Sequence, residues 1–181
     1  MAKPWPLISS QMVSEVGLFS VTRDRALSPR TKQERDFWVV HMPDWLQMVA
    51  ITTQGLLVLV RQYRHASRKS GLEMPGGLLD SADPNPAAAA VRELREETGY
   101  AGGQVVDLGT YWPQPAFLAN RVHFFGASGV ELAGAQEQDA GEDLEVVLAA
   151  PAEQERLLAS GEIHNAMSVM ALGLARQAGV L

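Results

Sequence analysis

Arg92, Glu93, Glu96 and Glu97 form the part of the sequence best suited to chemistry. At about 100° per residue on a helix, the three glutamates fall within an arc of roughly 100°. Like charges at this spacing weaken a helix by roughly a few tenths of a kcal/mol per pair, and a divalent cation held by carboxylate oxygens more than reverses that penalty. The spacing therefore predicts a metal-binding face. For the string REETG alone, an ordinary ion pair between Arg92 and Glu96 on a solvated helix is the simpler alternative.

A helix from Pro86 to Thr98 is predicted to carry these acids. Proline suits the first turn of a helix, Asp83 or Asn85 can cap it, and Gly99 can adopt the left-handed conformation that ends it. The same spacing predicts a separate apolar arc that faces the core. This arc contains Ala87, Val91, Leu94 and Thr98.

The segment from Gly77 to Tyr100 resembles the signature of the Nudix hydrolases, G-x5-E-x7-R-E-U-x-E-E-x-G-U, in which U is an apolar residue. The first half departs from this pattern, because Asp83 stands where the signature has Glu and eight residues rather than seven separate it from Arg92. We therefore expect one extra residue in the loop at Asp83–Pro86. The second half matches in register at Arg92, Glu93, Leu94, Glu96, Glu97, Gly99 and Tyr100, with Tyr100 in the apolar position.

The resemblance implies an α/β/α sandwich around a mixed sheet, and hydrolysis of a nucleoside diphosphate linked to another group. It implies that Glu93, Glu96 and Glu97, together with the Gly77 carbonyl, hold two to three Mg²⁺ or Mn²⁺ ions. Such ions neutralise a pyrophosphate and acidify a water molecule. Arg92 would then orient the carboxylates from behind. A plain surface ion pair is the alternative for Arg92.

Features outside the signature resemble those of the ADP-ribose and ADP-sugar pyrophosphatases. Pro115 lies fifteen residues beyond Tyr100, where that subfamily has a proline. Arg64 falls where the subfamily places a phosphate-binding arginine, and Glu73 matches a glutamate near its metal cluster. The resemblance therefore makes Arg64, Glu73 and Pro115 candidates for substrate binding. Alternatively, Pro115 only rigidifies a loop, and Glu73 is a strand-end acid that pairs with an arginine. The similar stretches are LVRQYRHA at 59–66, LEMPGGLLD at 72–80 and YWPQPAFLANRVHFF at 111–125.

The segment QDAGEDLEVV at 138–147 resembles the acidic loop that supplies a base to the attacking water in these enzymes. Glu142 aligns best, and Asp139 and Asp143 are close enough to be alternatives. A loop carboxylate suits this role because it can move toward the substrate when the site closes. A solvated acidic turn is the other interpretation. This loop departs from the subfamily pattern, and so does Asn120, at a position where relatives often have Glu. The sequence therefore does not determine which base and sugar the enzyme prefers.

The chain is predicted to divide into an N-terminal β segment, residues 1–47, and a hydrolase domain, residues 48–181. Alternating apolar positions predict an antiparallel hairpin or small sheet in the first segment, around Val16–Val21 and Phe37–His41. In the second, Gln54-Gly55 marks a turn between two central strands. These central strands are Met48–Thr52 and Leu56–Arg61, and further strands are predicted at Val105–Leu108, Val122–Phe125 and Leu144–Ala149. Further helices are predicted at Pro151–Ala159 and Ala166–Ala178, the latter capped by Asn165.

The N-terminal segment also resembles the subfamily's, in which an extra sheet is exchanged between subunits of a homodimer and completes the nucleoside pocket. Trp5, Phe37 and Trp38 are candidates for stacking on the base, and Trp38 is our choice for a substrate-binding residue. For any one of these aromatic residues, packing in the core or in a dimer interface is the simpler interpretation.

Composition narrows the functional class. The 181 residues are 46% hydrophobic and contain no cysteine, which allows one sizeable domain and excludes disulfides and thiolate sites. A net charge of −6 argues against broad nucleic-acid binding. The sequence shows no signal peptide and no apolar run of membrane-spanning length, so we expect no membrane association and a cytoplasmic location.

Three functions fit these features. The first is divalent-metal-dependent hydrolysis of ADP-ribose or ADP-sugars to AMP and ribose 5-phosphate. The second is hydrolysis of GDP-mannose or another nucleotide sugar on the same scaffold. The third is a non-catalytic module that senses ADP-ribose, against which the three intact glutamates argue.

Overall fold

The computed structural model describes residues 3–139 and 141–181. The chain forms two compact units: an N-terminal unit that reaches to Asp44 and includes Tyr111–Arg121, and a second unit of Trp45–Thr110 and Val122–Leu181. The elements are β1 Leu7–Val16, β2 Phe19–Leu27, β3 Glu34–His41, β4 Trp45–Thr52, β5 Leu57–Arg64, β6 Lys69–Glu73, α1 Pro86–Thr98, β7 Tyr100–Ala101, β8 Gln104–Tyr111, β9 Val122–Leu132, β10 Glu145–Ala149, a 3₁₀ turn Pro151–Glu153, α2 Gln154–Ala159 and α3 Ala166–Gln177.

The N-terminal unit is an antiparallel sheet in the order β1-β2-β3, which confirms the predicted N-terminal sheet. The predicted run Val16–Val21 is not continuous, because the chain turns between β1 and β2 at Gly17, whose φ of 49° is left-handed. The segment 111–121 joins this unit through a parallel bridge between Val40 and Leu118. All ten residues of β1 are exposed.

The second unit is built on a mixed sheet in the order β10-β5-β4-β9-β7, to which β6 adds beside β5 and β8 beside β9. Strands β4 and β9 are parallel, and β4 and β5 are antiparallel, so the predicted mixed sheet is confirmed. Strand β4 is almost entirely buried, which is expected for a strand covered on both faces.

Alternate residues of β4 and β5 pack against helices on opposite faces of this sheet. Met48 and Val58 belong to the same apolar cluster as Leu94 of α1. The next residues along the strands, Val49 and Leu59, belong to a second cluster with α3. Because side chains alternate across a strand, the two clusters lie on the two sides of the sheet. This is the expected α/β/α layering.

Most of the predicted helices and strands are confirmed. The structure differs from the prediction mainly in where some of these elements begin and end. Helix α1 has the predicted bounds, with Asn85 as its N-cap and Gly99 at a φ of 75° as its left-handed C-cap. Asp83 was the alternative cap, and it instead pairs with Arg92. The predicted helix Pro151–Ala159 begins as a 3₁₀ turn, and the short strands β6 and β7 were not predicted as strands.

Candidate active site

The glycine pair after β6 allows an unusually close approach of backbone and side chains. A Cβ on Gly76 would lie 2.1 Å from the carbonyl oxygen of Leu46, and a Cβ on Gly77 would lie 2.5 Å from the Glu93 carboxyl carbon. The Gly77 carbonyl, predicted as a metal ligand, accepts a hydrogen bond of 2.9 Å from the Leu46 N–H. The turn is thus fixed to β4 on one side and faces the Glu93 carboxylate on the other.

Glu97 is the most buried acid of α1, with only 4% of its surface exposed. Its Oε2 accepts a hydrogen bond of 2.8 Å from the Gly76 N–H. Burial raises the pKa of Glu97 to about 8; the charges of Glu93 and Glu142 add to this rise, and the Gly76 bond and Arg64 oppose it. The sequence pattern placed Glu97 on the acidic face, whereas the packing of α1 on the sheet buries it.

Glu93 and Glu96 occupy less buried positions on the same helix. The Glu93 side chain is 13% exposed, and its pKa is raised mainly by burial, with Glu96 and Glu142 adding to the rise and Arg92 opposing it. The Glu96 side chain is 35% exposed. The exposure of the three predicted ligands therefore increases from Glu97 through Glu93 to Glu96.

Arg92 contacts three carboxylates at once. Its Nε and Nη2 donate to the two oxygens of Asp83 at 3.1 and 3.0 Å, and Nη1 lies 2.9 Å from Glu93 and 2.7 Å from Glu96. The Arg92 guanidinium lowers the pKa of Asp83 through the hydrogen bonds, so this pair is ionised at neutral pH. Arg92 therefore links the loop before α1 to two acids of the helix, an arrangement suited to orienting them.

Arg64 and Glu73 form a bidentate pair at the ends of β5 and β6. Arg64 Nε and Nη2 donate to the two Glu73 oxygens at 3.0 and 2.9 Å. Glu73 is only 1% exposed, whereas the Arg64 side chain is 48% exposed. The hydrogen bond to Glu73 raises the pKa of Arg64, and Glu97 and Glu142 also contribute. Arg64 thus carries a fixed positive charge beside the acids of α1.

Among the acids of the loop, Glu142 interacts electrostatically with α1, because its negative charge raises the pKa of both Glu93 and Glu97. The loop is held by its own turn, in which the Asp139 N–H donates to Glu142 Oε2 at 3.1 Å. It is also fastened to α1, since the Glu137 N–H donates to the Glu96 carbonyl at 2.8 Å.

Gln136 and Asn165 were not singled out as site residues by the sequence. Gln136 Nε2 donates to the backbone carbonyl of Glu97 at 2.5 Å and so attaches the acidic loop to the end of α1. Asn165 Nδ2 donates to Glu73 at 2.5 Å across 92 positions of sequence. Asn165 was predicted only as a helix cap, and no local pattern indicates its second partner.

Trp38 and Pro115, also predicted to bind substrate, lie in the N-terminal unit. Trp38 is 56% exposed, and Pro115 lies in a turn on the surface. Trp5 packs edge-to-face on Phe37 with ring centroids 5.3 Å apart. Asn120 is 2% exposed, and its Oδ1 accepts no hydrogen bond from the described residues.

The donor set of α1 suits a hard divalent cation. Within residues 3–139 and 141–181, no three His, Asp or Glu side chains are arranged as an ion-binding group, and Arg92 is bonded to two of the predicted ligands. The predicted ligands are all oxygen atoms, as Mg²⁺ and Mn²⁺ prefer. Glu93 and Glu97 are crowded acids whose charged forms are disfavoured. A cation would relieve this crowding, so the residues fit such an ion in the chemistry of their donor atoms, while an ion would have to draw the described carboxylates together to complete the site.

Comparison with known proteins identifies the family and agrees with the fold. Residues 46–176 match the NUDIX domain family. The chain is 32% identical over 166 residues to an ADP-ribose pyrophosphatase of Mycobacterium tuberculosis, covering 90% of this chain and 78% of the relative. It is 29% identical over 135 residues to an ADP-ribose pyrophosphatase of Bacillus subtilis, covering 74% of this chain and 72% of the relative. GDP-mannose pyrophosphatases are further relatives; that of Citrobacter koseri is 32% identical over 127 residues, 64% of each chain.

A crystal structure described as an ADP compounds hydrolase shares the fold, with a TM-score of 0.85 and 22% identity over 98% of this chain and 95% of its own. The fold and the family match define a Nudix hydrolase. The chain belongs to this superfamily and is similar to its ADP-ribose pyrophosphatases, which confirms the family and the enzyme class predicted from sequence.

None of the helices in the described part of the chain is long and apolar enough to span a bilayer.

Proposed function

We propose that this enzyme hydrolyses the pyrophosphate bond of ADP-ribose and related ADP-sugars, giving AMP and ribose 5-phosphate from ADP-ribose. The observation that carries the proposal is the convergence of two crowded acids, Glu93 and Glu97, on the Gly76-Gly77 turn, with the Arg64 charge close by. The two ADP-ribose pyrophosphatase relatives support the choice of substrate.

The reaction is expected to depend on two to three Mg²⁺ or Mn²⁺ ions. Glu93, Glu96 and Glu97, with the Gly77 carbonyl, would hold them. When bound, such ions supply positive charge beside the pyrophosphate and make water a stronger nucleophile. Arg92 already holds Glu93 and Glu96 at one end of the site, and we expect it to keep both carboxylates oriented.

Two residues are assigned to the substrate and the attacking water. Arg64 binds a phosphate oxygen, because its guanidinium is anchored by Glu73 and half-exposed. Glu142 accepts a proton from the water as the water oxygen bonds to one phosphorus and the bond from that phosphorus to the bridging oxygen breaks. The bridging oxygen leaves as part of the second phosphate product.

The nucleoside is assigned to the N-terminal unit and the loop that contains Pro115. Trp38 and Trp5 are 56% and 43% exposed, so both present surface on which a base can stack. Trp5 also lines a cavity of about 330 Å³ together with Arg30 and Arg35. An aromatic ring beside positive charges suits a nucleotide, which is both aromatic and anionic. We further propose that the enzyme is a homodimer, because β1 leaves apolar side chains exposed. A cytoplasmic location is part of the proposal, since a chain without cysteine is consistent with a reducing compartment.

Hydrolysis of GDP-mannose is the second candidate. It is favoured by the 32% identity to GDP-mannose pyrophosphatases, which equals the identity to the mycobacterial ADP-ribose pyrophosphatase. Phosphate and metal chemistry are common to both substrates, so the two candidates differ only in recognition of the base and the sugar.

A hydrolysis screen decides between them. The purified enzyme is given ADP-ribose, ADP-glucose, GDP-mannose, NADH and diadenosine polyphosphates with Mg²⁺, with Mn²⁺ or with EDTA, and the products are identified by mass. The highest kcat/KM is expected for ADP-ribose, with AMP and ribose 5-phosphate as products and no turnover in EDTA. Preferred release of GMP and mannose 1-phosphate would establish the second candidate. Turnover that persists in EDTA would overturn the metal assignment.

A further inference from the structure

A polar chain connects the first turn of α3 to the end of β5. Asn165 Nδ2 donates to Glu73 Oε2 at 2.5 Å, and Glu73 in turn accepts two hydrogen bonds from Arg64 at 3.0 and 2.9 Å. Glu73 is 1% exposed, so its charge has little access to water. A buried carboxylate is stable only if its oxygens have donors. Arg64, which precedes Glu73 in the chain, and Asn165, which follows it, supply these donors.

The orientation of the Asn165 amide is set by the helix it caps. Its Oδ1 accepts a hydrogen bond of 2.9 Å from the Met167 N–H. Only the amide nitrogen is then left to face Glu73, which is the correct pairing of a donor with a carboxylate. Three residues later, Ser168 Oγ accepts from the Met74 N–H at 3.0 Å. The first turn of α3 is therefore fixed to the strand end on which Glu73 lies.

Glu73 determines which atoms of Arg64 remain available. The pair uses Nε and Nη2 of the guanidinium, and Nη1 makes no hydrogen bond to the described residues. Because a guanidinium is planar and rigid, fixing one edge also fixes the direction of the remaining nitrogen. The Arg64 side chain is 48% exposed, so this nitrogen can reach a ligand from solvent.

We propose that Asn165 is a positioning residue for substrate binding: by holding Glu73, it fixes Arg64 in the orientation that receives a phosphate of the nucleoside diphosphate. The inference rests on the proposed function, in which Arg64 binds that phosphate. In this role Asn165 acts through Glu73 and Arg64 and not on the substrate itself, so its loss should weaken binding and leave the chemical step unchanged.

The test separates the two hydrogen bonds of Asn165. Asn165→Ser keeps a side-chain oxygen for the cap but lacks the amide donor to Glu73. We expect KM for ADP-ribose to rise about 3- to 10-fold with kcat within about twofold of the parent, as for loss of a hydrogen bond that affects binding alone. In an Arg64→Ala background, Asn165→Ser should change KM by less than about twofold, because the residue through which it acts is gone.

Asn85→Ser is the matched control for the loss of a cap. Asn85 caps α1 by accepting a hydrogen bond of 2.9 Å from the Ala88 N–H, and it makes no hydrogen bond to Glu73 or Arg64. Melting temperatures of both variants show how much stability each asparagine contributes. An unchanged KM in Asn165→Ser, or the same rise in KM with and without Arg64, would overturn the positioning role while leaving the proposed function intact. Failure of the parent enzyme to hydrolyse any nucleoside diphosphate substrate would overturn the proposed function and this inference together.

Discussion

Glu97 Oε2 accepts a 2.8 Å hydrogen bond from the Gly76 N–H, so the most buried acid of α1 is fixed to the turn that follows β6. Burial raises the pKa of Glu97 to about 8, and the charges of Glu93 and Glu142 add to the rise. The folded protein thus holds a carboxylate in a place where its charged form is unfavourable. Such a group is typical of functional sites rather than of stabilising ion pairs.

Replacement of Glu97 by Gln should lower turnover of ADP-ribose by at least about 100-fold, because it removes a charged oxygen from the proposed ion site. The amide oxygen can still accept the Gly76 hydrogen bond, so the fold should be retained. Steady-state kinetics at saturating Mg²⁺ and a circular dichroism spectrum measure the two effects. Glu155→Gln, which changes an exposed acid of α2, is the control. Parental turnover by Glu97→Gln would show that the metal assignment to α1 is wrong.

The pKa of Glu97 also predicts an unusual pH dependence of stability without metal. The folded pKa is about 8 and the unfolded value is near 4.5, so the folded state binds more protons between these values. Its free energy of unfolding should therefore fall as the pH rises from about 5 to about 8, by on the order of 1 kcal/mol per pH unit at most.

Urea unfolding in EDTA at several pH values measures this slope. Glu97→Gln should flatten it, because the amide does not titrate. Equal slopes in the parent and the variant would show that Glu97 titrates normally in the folded protein.

Gly77→Ala tests the close approach of the glycine turn to the acids. The new Cβ would lie 2.5 Å from the Glu93 carboxyl carbon, and the flexible end of that side chain can move away. We therefore expect a small loss of stability and roughly a 10- to 100-fold loss of kcat/KM, because Glu93 is displaced from the site. Enzyme assays and thermal unfolding measure both.

Gly173→Ala provides the matched control, since a Cβ at this position in α3 meets nothing within 4 Å. This substitution should preserve activity and raise stability by roughly 0.5–1 kcal/mol, the helix preference of alanine over glycine. A Gly77→Ala enzyme as active as Gly173→Ala would remove Glu93 from the proposed site.

The sequence predicted helix α1 and both of its ends because the signals there are local. Asn85, Pro86 and Gly99 act within one turn of the helix, so they can be identified without tertiary structure. The burial of Glu97 could not be predicted in this way. It depends on how α1 packs against β4 and β5, and helical spacing alone placed Glu97 with the more exposed Glu96.

Hydrogen-bond and ion-pair partners that are distant in the sequence could not be predicted from it either. The pairing of Glu73 with an arginine was one of the two interpretations, and the structure identifies that arginine as Arg64. The bond between Glu73 and Asn165 joins residues 92 positions apart, and it follows only from the docking of α3 beside β6. Asp83 was considered as a helix cap, but the loop turns its carboxylate to Arg92 because a bidentate charged pair is the stronger interaction.

Glu142→Gln should lower kcat by about 100-fold or more with little change in the concentration of Mg²⁺ required for half activity, as expected of a base and not of a ligand. The glutamine oxygen can keep the 3.1 Å hydrogen bond from the Asp139 N–H, so the loop turn should persist. Asp139→Asn and Asp143→Asn are the matched variants in the same loop and should have smaller effects. A larger loss of kcat from either aspartate would transfer the role of base to that residue.

The N-terminal sheet is expected to mediate assembly of the enzyme. Strand β1 lies at the edge of its sheet, and its apolar residues Leu7, Met12, Val13 and Val16 are each more than half exposed. An exposed apolar edge strand is an interaction surface unless it is covered. We therefore expect a closed homodimer in which this strand is buried, and light scattering at micromolar concentration should give twice the chain mass of 19.6 kDa.

The double variant Met12→Glu/Val16→Glu should shift the enzyme toward monomer and raise KM, because the dimer is proposed to complete the nucleoside pocket. Val169→Glu, at a position of α3 that is 43% exposed, adds charge to another apolar surface residue and should leave the dimer intact. A parent enzyme that scatters light only as a monomer would contradict the assembly and, with it, the shared nucleoside pocket. Dissociation by Val169→Glu but not by the β1 variant would place the interface on α3 instead.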